Sequence, residues 1–175
     1  MENKSGAQEN LVGREAIEKM KELVGHNAIC MFTSRVDEVP LQTRPMTTQE
    51  VDDQGNFWFL SPKDSHKNYE VGSDARVQLL FANTSASEYL TVYGTATVLD
   101  DRKKIEEMWS PMAKAWFHEG KDDPNLSLIK VSPEHAYYWE PKQNKMVTLF
   151  KMATAAATGK EMEIGRQGSL GVGNQ

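Results

Sequence analysis

The sequence predicts a mainly β fold of the α+β class: six or seven strands closing into a partly antiparallel barrel, with helices packed outside. Two observations carry this. Several stretches are apolar, or alternate apolar with polar residues, over lengths that suit strands better than buried helices. Clusters of Gly, Pro, Asn, Asp and Ser punctuate them. The helix-like stretches do not alternate one for one with strands, as a parallel sheet would require.

Taken in order, Ala16, Ile17, Met20, Leu23 and Val24 recur at helical spacing and Gly25 supplies a stop, which makes an amphipathic helix with Lys and Glu outward. Residues 28–34 form a buried strand. The turn Val36-Asp37-Glu38 leads to a second strand, with Pro40 tolerated at its start and its end near Met46. Asp52-Asp53-Gln54-Gly55-Asn56 is a strong turn signal before the aromatic strand 57–60. Asp64 or Ser65 caps a helix through about Val71, and Gly72-Ser73-Asp74 breaks it. Residues 77–81 form the next strand. Along 89–99, Leu90, Val92, Ala96 and Val98 make one face and Tyr89, Thr91, Tyr93, Thr95 and Thr97 the other, with Gly94 marking a bulge or a close backbone approach. Asp100 and Asp101 start a helix carrying Ile105, Met108 and Trp109, and Ser110-Pro111 opens a second short one through Phe117. Strands 126–131 and 136–140 follow, separated by Ser132-Pro133.

This organisation divides the chain into a flexible leader (1–11), one barrel domain (12–150) and a tail (151–175). The tail reads as a short alanine-rich helical segment, then a glycine-rich stretch from Gly159 that buries little and is expected to be mobile. A net charge of −5 argues against a general nucleic-acid or anionic-membrane binder, while leaving room for one small basic pocket. The leader lacks the apolar core of a signal peptide, and no run approaches the ~18 apolar residues of a membrane span, so a cytoplasmic protein is expected. Cys30, the only cysteine, lies in an apolar run and reads as a buried structural thiol in preference to a redox centre. His26, His66, His118 and His135 lack metal-ligand spacing, and the carboxylate pairs Asp100-Asp101 and Glu106-Glu107 read as helix-start and solvated-face charges.

The stretch 42–67 holds most of the chemistry. Arg44 offers a planar fork of donors, and Ser65, His66 and Lys67 bring a hydroxyl, an imidazole and an ammonium to the start of a helix. Cations, a hydroxyl and free backbone N–H groups at a helix N-terminus suit a phosphate. Alone, Arg44 is a surface arginine at a strand end and Leu60 a core residue of an aromatic strand; the combination is what is specific. Trp109, Trp116 and Phe117 read as core or subunit-interface aromatics, and Trp139 as a sheet-face aromatic.

Arg44-Pro45-Met46, Leu60-Ser61 and Ser65-His66-Lys67, in this setting of strands, resemble the pyridoxamine 5′-phosphate oxidase-like FMN-binding split β-barrels, most closely their general stress protein branch. The likeness spans most of residues 12–150. It implies an FMN cofactor, with Arg44, Ser65, His66 and Lys67 at the phosphate, and Pro45, Met46, Leu60 and Ser61 at the ring and ribityl chain. It also implies a homodimer with flavin sites at the subunit interface, where the insert bearing Trp109 and Trp116, and Trp139 itself, reach the partner's flavin. His66 departs from the Ser-Arg-Lys of the true oxidases and agrees with the stress branch. The Arg-Leu-His-Asp-Arg type segment of those oxidases is replaced by Glu140-Pro141-Lys142-Gln143-Asn144-Lys145-Met146, and their glutamine contact is replaced near Tyr89, so vitamin chemistry is not implied. The reading is a flavin-dependent oxidoreductase with a general stress role, its redox partner a small molecule such as a nicotinamide nucleotide. No residue identifies itself as catalytic. The alternative is a non-catalytic flavin-binding or flavin-sensing stress protein; FAD, a deazaflavin or haem are the other ligands to distinguish.

Overall fold

The computed structural model describes residues 6–117, 119–142 and 165–173. Its elements are β1 (Gly6–Gln8), β2 (Leu11–Val12), α1 (Gly13–His26), β3 (Ile29–Ser34), β4 (Gln42–Thr47), β5 (Glu50–Val51), β6 (Phe57–Pro62), α2 (His66–Ser73), β7 (Arg76–Asn83), β8 (Glu88–Leu99), α3 (Arg102–Met108), two short 3₁₀ segments, β9 (Leu126–Pro141) and β10 (Gly165–Gly171). No helix among the described residues is long and apolar enough to cross a membrane.

The sheet runs β1-β10-β9-β8-β7-β3-β4, with β6 joined to β9 and β5 to β6. All pairings from β3 to β9 are antiparallel. The ring closes at one corner. Between β4 and β5, Thr48 N–H donates to Ala28 O and Gln49 N–H to Trp58 O, each at 2.8 Å, so one stretch of chain pairs first with β3 and then with β6. Phe32, Phe57, Phe59, Val77, Leu79, Val92, Ile129 and Val131, all fully buried, fill the interior, and α1 closes one side through Ala16, Met20, Leu23 and Val24. A second cluster of Trp58, Ile105, Phe117, Leu126 and Leu128 holds α3 and the first 3₁₀ segment, Pro111–Ala115, which replaces the helix expected there.

Three features of the strand pairing differ from the sequence reading. Residues 126–141 are one strand. Its register against β8 shifts between Tyr93 and Gly94, opposite Ser132-Pro133, so the proline that reads as a break sits at a bulge, where a missing N–H is tolerated. There the strand's other neighbour changes from β6 to β10. Gly94 itself is required, because a Cβ would lie 2.1 Å from Ser132 O. Next, residues 165–171 of the expected mobile tail form β10, seated against β9 from Gly165↔Pro141 to Leu170↔Ala136. Finally, Gly6–Gln8 and Leu11–Val12 of the expected flexible leader and its end pair with β10 in parallel. Glycine content misleads at this edge. A Cβ at Gly168 would lie 2.0 Å from Glu9 O, so the small residue serves close strand approach rather than mobility. The alanine-rich segment 152–158 lies outside the described residues.

Val98, expected on the buried face of β8, is 36% exposed at the strand's far end.

Candidate functional site

Arg44 sits in the middle of β4 and shares its face with the interior. It pairs across with Phe32, which in turn opposes Leu79, and Leu79 opposes Val92. A guanidinium on the core side of a sheet needs counter-charge and hydrogen bonds. Glu70 of α2 supplies both. Arg44 Nη2 donates to Glu70 Oε2 at 2.8 Å, Arg44 Nη1 to Ser34 Oγ at 2.5 Å, and Ser34 Oγ to Glu70 Oε2 at 2.5 Å. The Glu70 side chain is fully buried, while that of Arg44 keeps 25% exposure. Burial pushes the Glu70 carboxyl up, but donation from Ser34, the charge and donation of Arg44, and His66 outweigh it and hold the group below its ordinary value.

Helix α2 begins where the Ser65 side chain accepts from Asn68 N–H. His66 and Lys67, at the first two helical positions, have backbone N–H groups without intrahelical acceptors. His66 Nδ1 lies 2.9 Å from Glu70 Oε1, one helical turn on; its ring stands 6.4 Å from that of Tyr69, and the side chain is 78% exposed. Lys67 is half-buried, and its side chain forms no hydrogen bond or ion pair among the described residues. Burial, with Arg44 beside it, pushes its ammonium below the ordinary lysine value, and the nearby Asp64 offsets this only in part.

Behind the helix start, Ser61 Oγ donates to Asn68 Oδ1 at 2.6 Å and lies 3.2 Å from Ser65 Oγ. Asn68 Nδ2 donates to Ser127 Oγ, and Ser127 Oγ to Ser61 O. Ser61 is therefore interior, and its hydroxyl fixes α2 on β6. Leu60 is half-buried and packs on the second core cluster.

Arg44, Ser65, His66 and Lys67 thus come together at the junction of β4 and α2. Pro45 lies on the opposite, exposed face of β4 from Arg44, and Met46 packs on the main core. Trp109 packs edge-on to Phe117 with ring centroids 6.5 Å apart, Trp116 is 81% exposed, and Trp139 stands opposite Tyr89 and 4.7 Å from the Tyr137 ring. No hydrogen bond, ion pair or ring contact among the described residues joins these tryptophans to Arg44, Ser65, His66 or Lys67. The sequence reading missed Glu70 and Ser34. Glu70 carried a usable signal, four residues after His66 on one helix; Ser34 carried none, because only the β3–β4 register brings it to Arg44.

The residues present fit a phosphate ester. Among the described residues two of Arg44's five N–H donors are used, and an ammonium without a partner, a hydroxyl and two free helix N–H groups stand beside the rest.

The chain is 24% identical over 162 residues to protein bli-3 of Neurospora crassa, covering 87% of this chain and 78% of that one. Among solved structures it is similar to one named as a general stress protein 26 of Jannaschia sp. CCS1, with a TM-score of 0.71, 23% identity and coverage of 90% and 96%. It is also similar to the general stress FMN/FAD binding protein of Xanthomonas citri, with a TM-score of 0.64, 27% identity and coverage of 74% and 92%. The family model described as pyridoxamine 5′-phosphate oxidase like matches residues 15–163, so the chain belongs to the pyridoxamine 5′-phosphate oxidase-like family and its barrel is that family's split barrel.

Proposed function

We propose that this chain is an FMN-binding flavoprotein that works as a cytoplasmic homodimer and exchanges hydride with a small redox partner such as a nicotinamide nucleotide, in a stress-related role. The observation that carries the reading is the half-buried Lys67 beside Arg44. Two cations held together at a helix start, one without a counter-ion among the described residues, are the arrangement a phosphate dianion relieves. The similarity to an FMN/FAD binding protein supports a flavin as its bearer.

In this reading Arg44 and Lys67 supply charge, Ser65 and the first N–H groups of α2 supply direction, and His66 closes the exposed side. The redox chemistry is the flavin's when bound; the protein binds, orients and shields it. The outer face of the sheet supports a dimer. Pro45, Met31 and Leu80 lie in one cross-strand row, and Ile29, Met31, Leu80 and Tyr89 are 55%, 42%, 43% and 39% exposed, an apolar surface that a second copy would cover.

The test is a visible absorption spectrum of the purified protein titrated with FMN, with identification of any ligand released on denaturation. A bound-flavin spectrum is expected, with Arg44→Ala and Lys67→Ala each weakening binding about 10- to 100-fold, the loss of one charge-assisted contact. No flavin spectrum at saturating FMN refutes the reading. Turnover of the loaded protein with NADH or NADPH then separates an oxidoreductase from a non-catalytic flavin binder.

A further inference from the structure

Glu70 is the fully buried carboxylate of this site, and both its oxygens are committed. Oε2 accepts from Arg44 Nη2 and from Ser34 Oγ, and Oε1 faces His66 Nδ1 at 2.9 Å. Ser34 Oγ in turn accepts from Arg44 Nη1, so the guanidinium is held at two nitrogens by groups on two elements, β3 and α2. An ionised carboxylate only accepts hydrogen bonds. The proton between it and His66 therefore sits on Nδ1, which leaves Nε2 as the ring nitrogen available to a ligand. A single side chain thus sets the fork direction of Arg44 and the tautomer of His66, two of the four groups proposed to meet a phosphate.

A simpler role would be to neutralise Arg44 on the core face. That accounts for Oε2 but not for Oε1, which spends its hydrogen bond on an imidazole that is 78% exposed and has no need of burial compensation. Nor is Glu70 a substitute for the ligand. It lies beneath the cations with no exposed side-chain surface, and it leaves Lys67 without an ion pair among the described residues.

We propose that Glu70 is a positioning residue of the anion site, holding Arg44 through Oε2 so that its remaining N–H groups point at a phosphate in a fixed direction, and fixing the orientation of the His66 ring beside it through Oε1. The inference rests on the flavin-phosphate reading above and deepens it. In a wider sense it applies to any phosphate ester bound there.

The experiment compares wild type with Glu70→Gln, which keeps the shape and removes the charge, and Ser34→Ala, which removes the hydroxyl bridging Arg44 Nη1 and Glu70 Oε2, leaves the His66–Glu70 contact in place, and reads the hold on Arg44 if Glu70→Gln does not fold. Binding of FMN and of riboflavin is measured by fluorescence titration. Riboflavin shares the ring and ribityl chain but lacks the phosphate, so general loosening weakens both ligands alike. The ratio of riboflavin to FMN dissociation constants is expected to fall about 10- to 100-fold in either variant, the loss of one or two charge-assisted hydrogen bonds. The ¹⁵N shifts of the His66 imidazole are expected to report Nδ1–H in wild type and to lose that bias in Glu70→Gln. A ratio within about threefold of wild type, or tighter FMN binding in Glu70→Gln, overturns the proposal. If wild type fails to discriminate FMN from riboflavin, the flavin reading falls by itself. A titration with inorganic phosphate then decides this proposal: weaker binding in Glu70→Gln sustains it, and equal binding overturns it.

Discussion

Replacing Leu170 with Ala tests whether the C-terminal strand is part of the barrel's core. Leu170 is 2% exposed, sits opposite Ala136 in the β10–β9 ladder and opposite Leu11 in the β10–β2 pairing, and belongs to the main core cluster. Truncation removes three carbons, each worth about 0.8 kcal/mol of burial, or roughly 2.4 kcal/mol before any cavity cost. Fully buried Leu→Ala changes span about 2–5 kcal/mol, according to how far the surroundings collapse. Leu11 and Val172 are only partly buried beside this core and have room to settle, which places the expected loss in the lower half, about 2–3.5 kcal/mol. For a chain of this size that is a fall in Tm of roughly 5–12 °C. Urea unfolding followed by tryptophan fluorescence measures it, with Trp139 placed opposite Gln167 of β10 as a local reporter. Leu41→Ala is the control: Leu41 is 54% exposed, and its change should stay within about 0.5 kcal/mol. A Leu170→Ala protein as stable as that control refutes the packing argument and returns the tail to a loose appendage.

Lys67 makes a pH-dependent contribution with a definite sign. Its folded-state value is depressed, so through the alkaline range below 10.5 the unfolded chain holds more protons at this site and stability from it rises with pH. The difference in unfolding free energy between wild type and Lys67→Met should therefore change in wild type's favour across that range without ligand; a flat difference curve contradicts it. Gly94→Ala must push a Cβ away from Ser132 O, 2.1 Å distant on the paired backbone, and is expected to cost at least about 3 kcal/mol; a loss under 1 kcal/mol in denaturant unfolding counts against the bulge geometry. Burial pushes the Cys30 thiol up to about 12, so the native protein should resist thiol-specific labelling at neutral pH and react only when unfolded; stoichiometric labelling under native conditions would show that the β3 interior is open.

Local pattern was sufficient for the parts of this protein whose physics is local. Turn chemistry and hydrophobic pattern mark β3, β6, β7 and the first part of β8. The last two alternate, because a strand with one buried face places apolar residues at every second position, while β3 and β6 read as short apolar or aromatic runs. The cap at Ser65 and the cations after it are legible because a helix start leaves N–H groups free and a serine oxygen just before them can accept from one. The resemblance then added what residue types alone leave open, that these groups together suit a flavin phosphate. Long-range register decided the rest. A glycine-rich stretch looks mobile until its neighbour is known, and only the approach of Glu9 to Gly168 shows the small residue to be a packing requirement. Ser132-Pro133 looks like a break until Gly94 appears opposite it as a bulge. Arg44 was legible as a cation, but not as a cation on the core face, held by Glu70 and Ser34. Those contacts join residues 26 and 10 positions apart, and a hydrogen bond at that separation depends on which strand lies beside which.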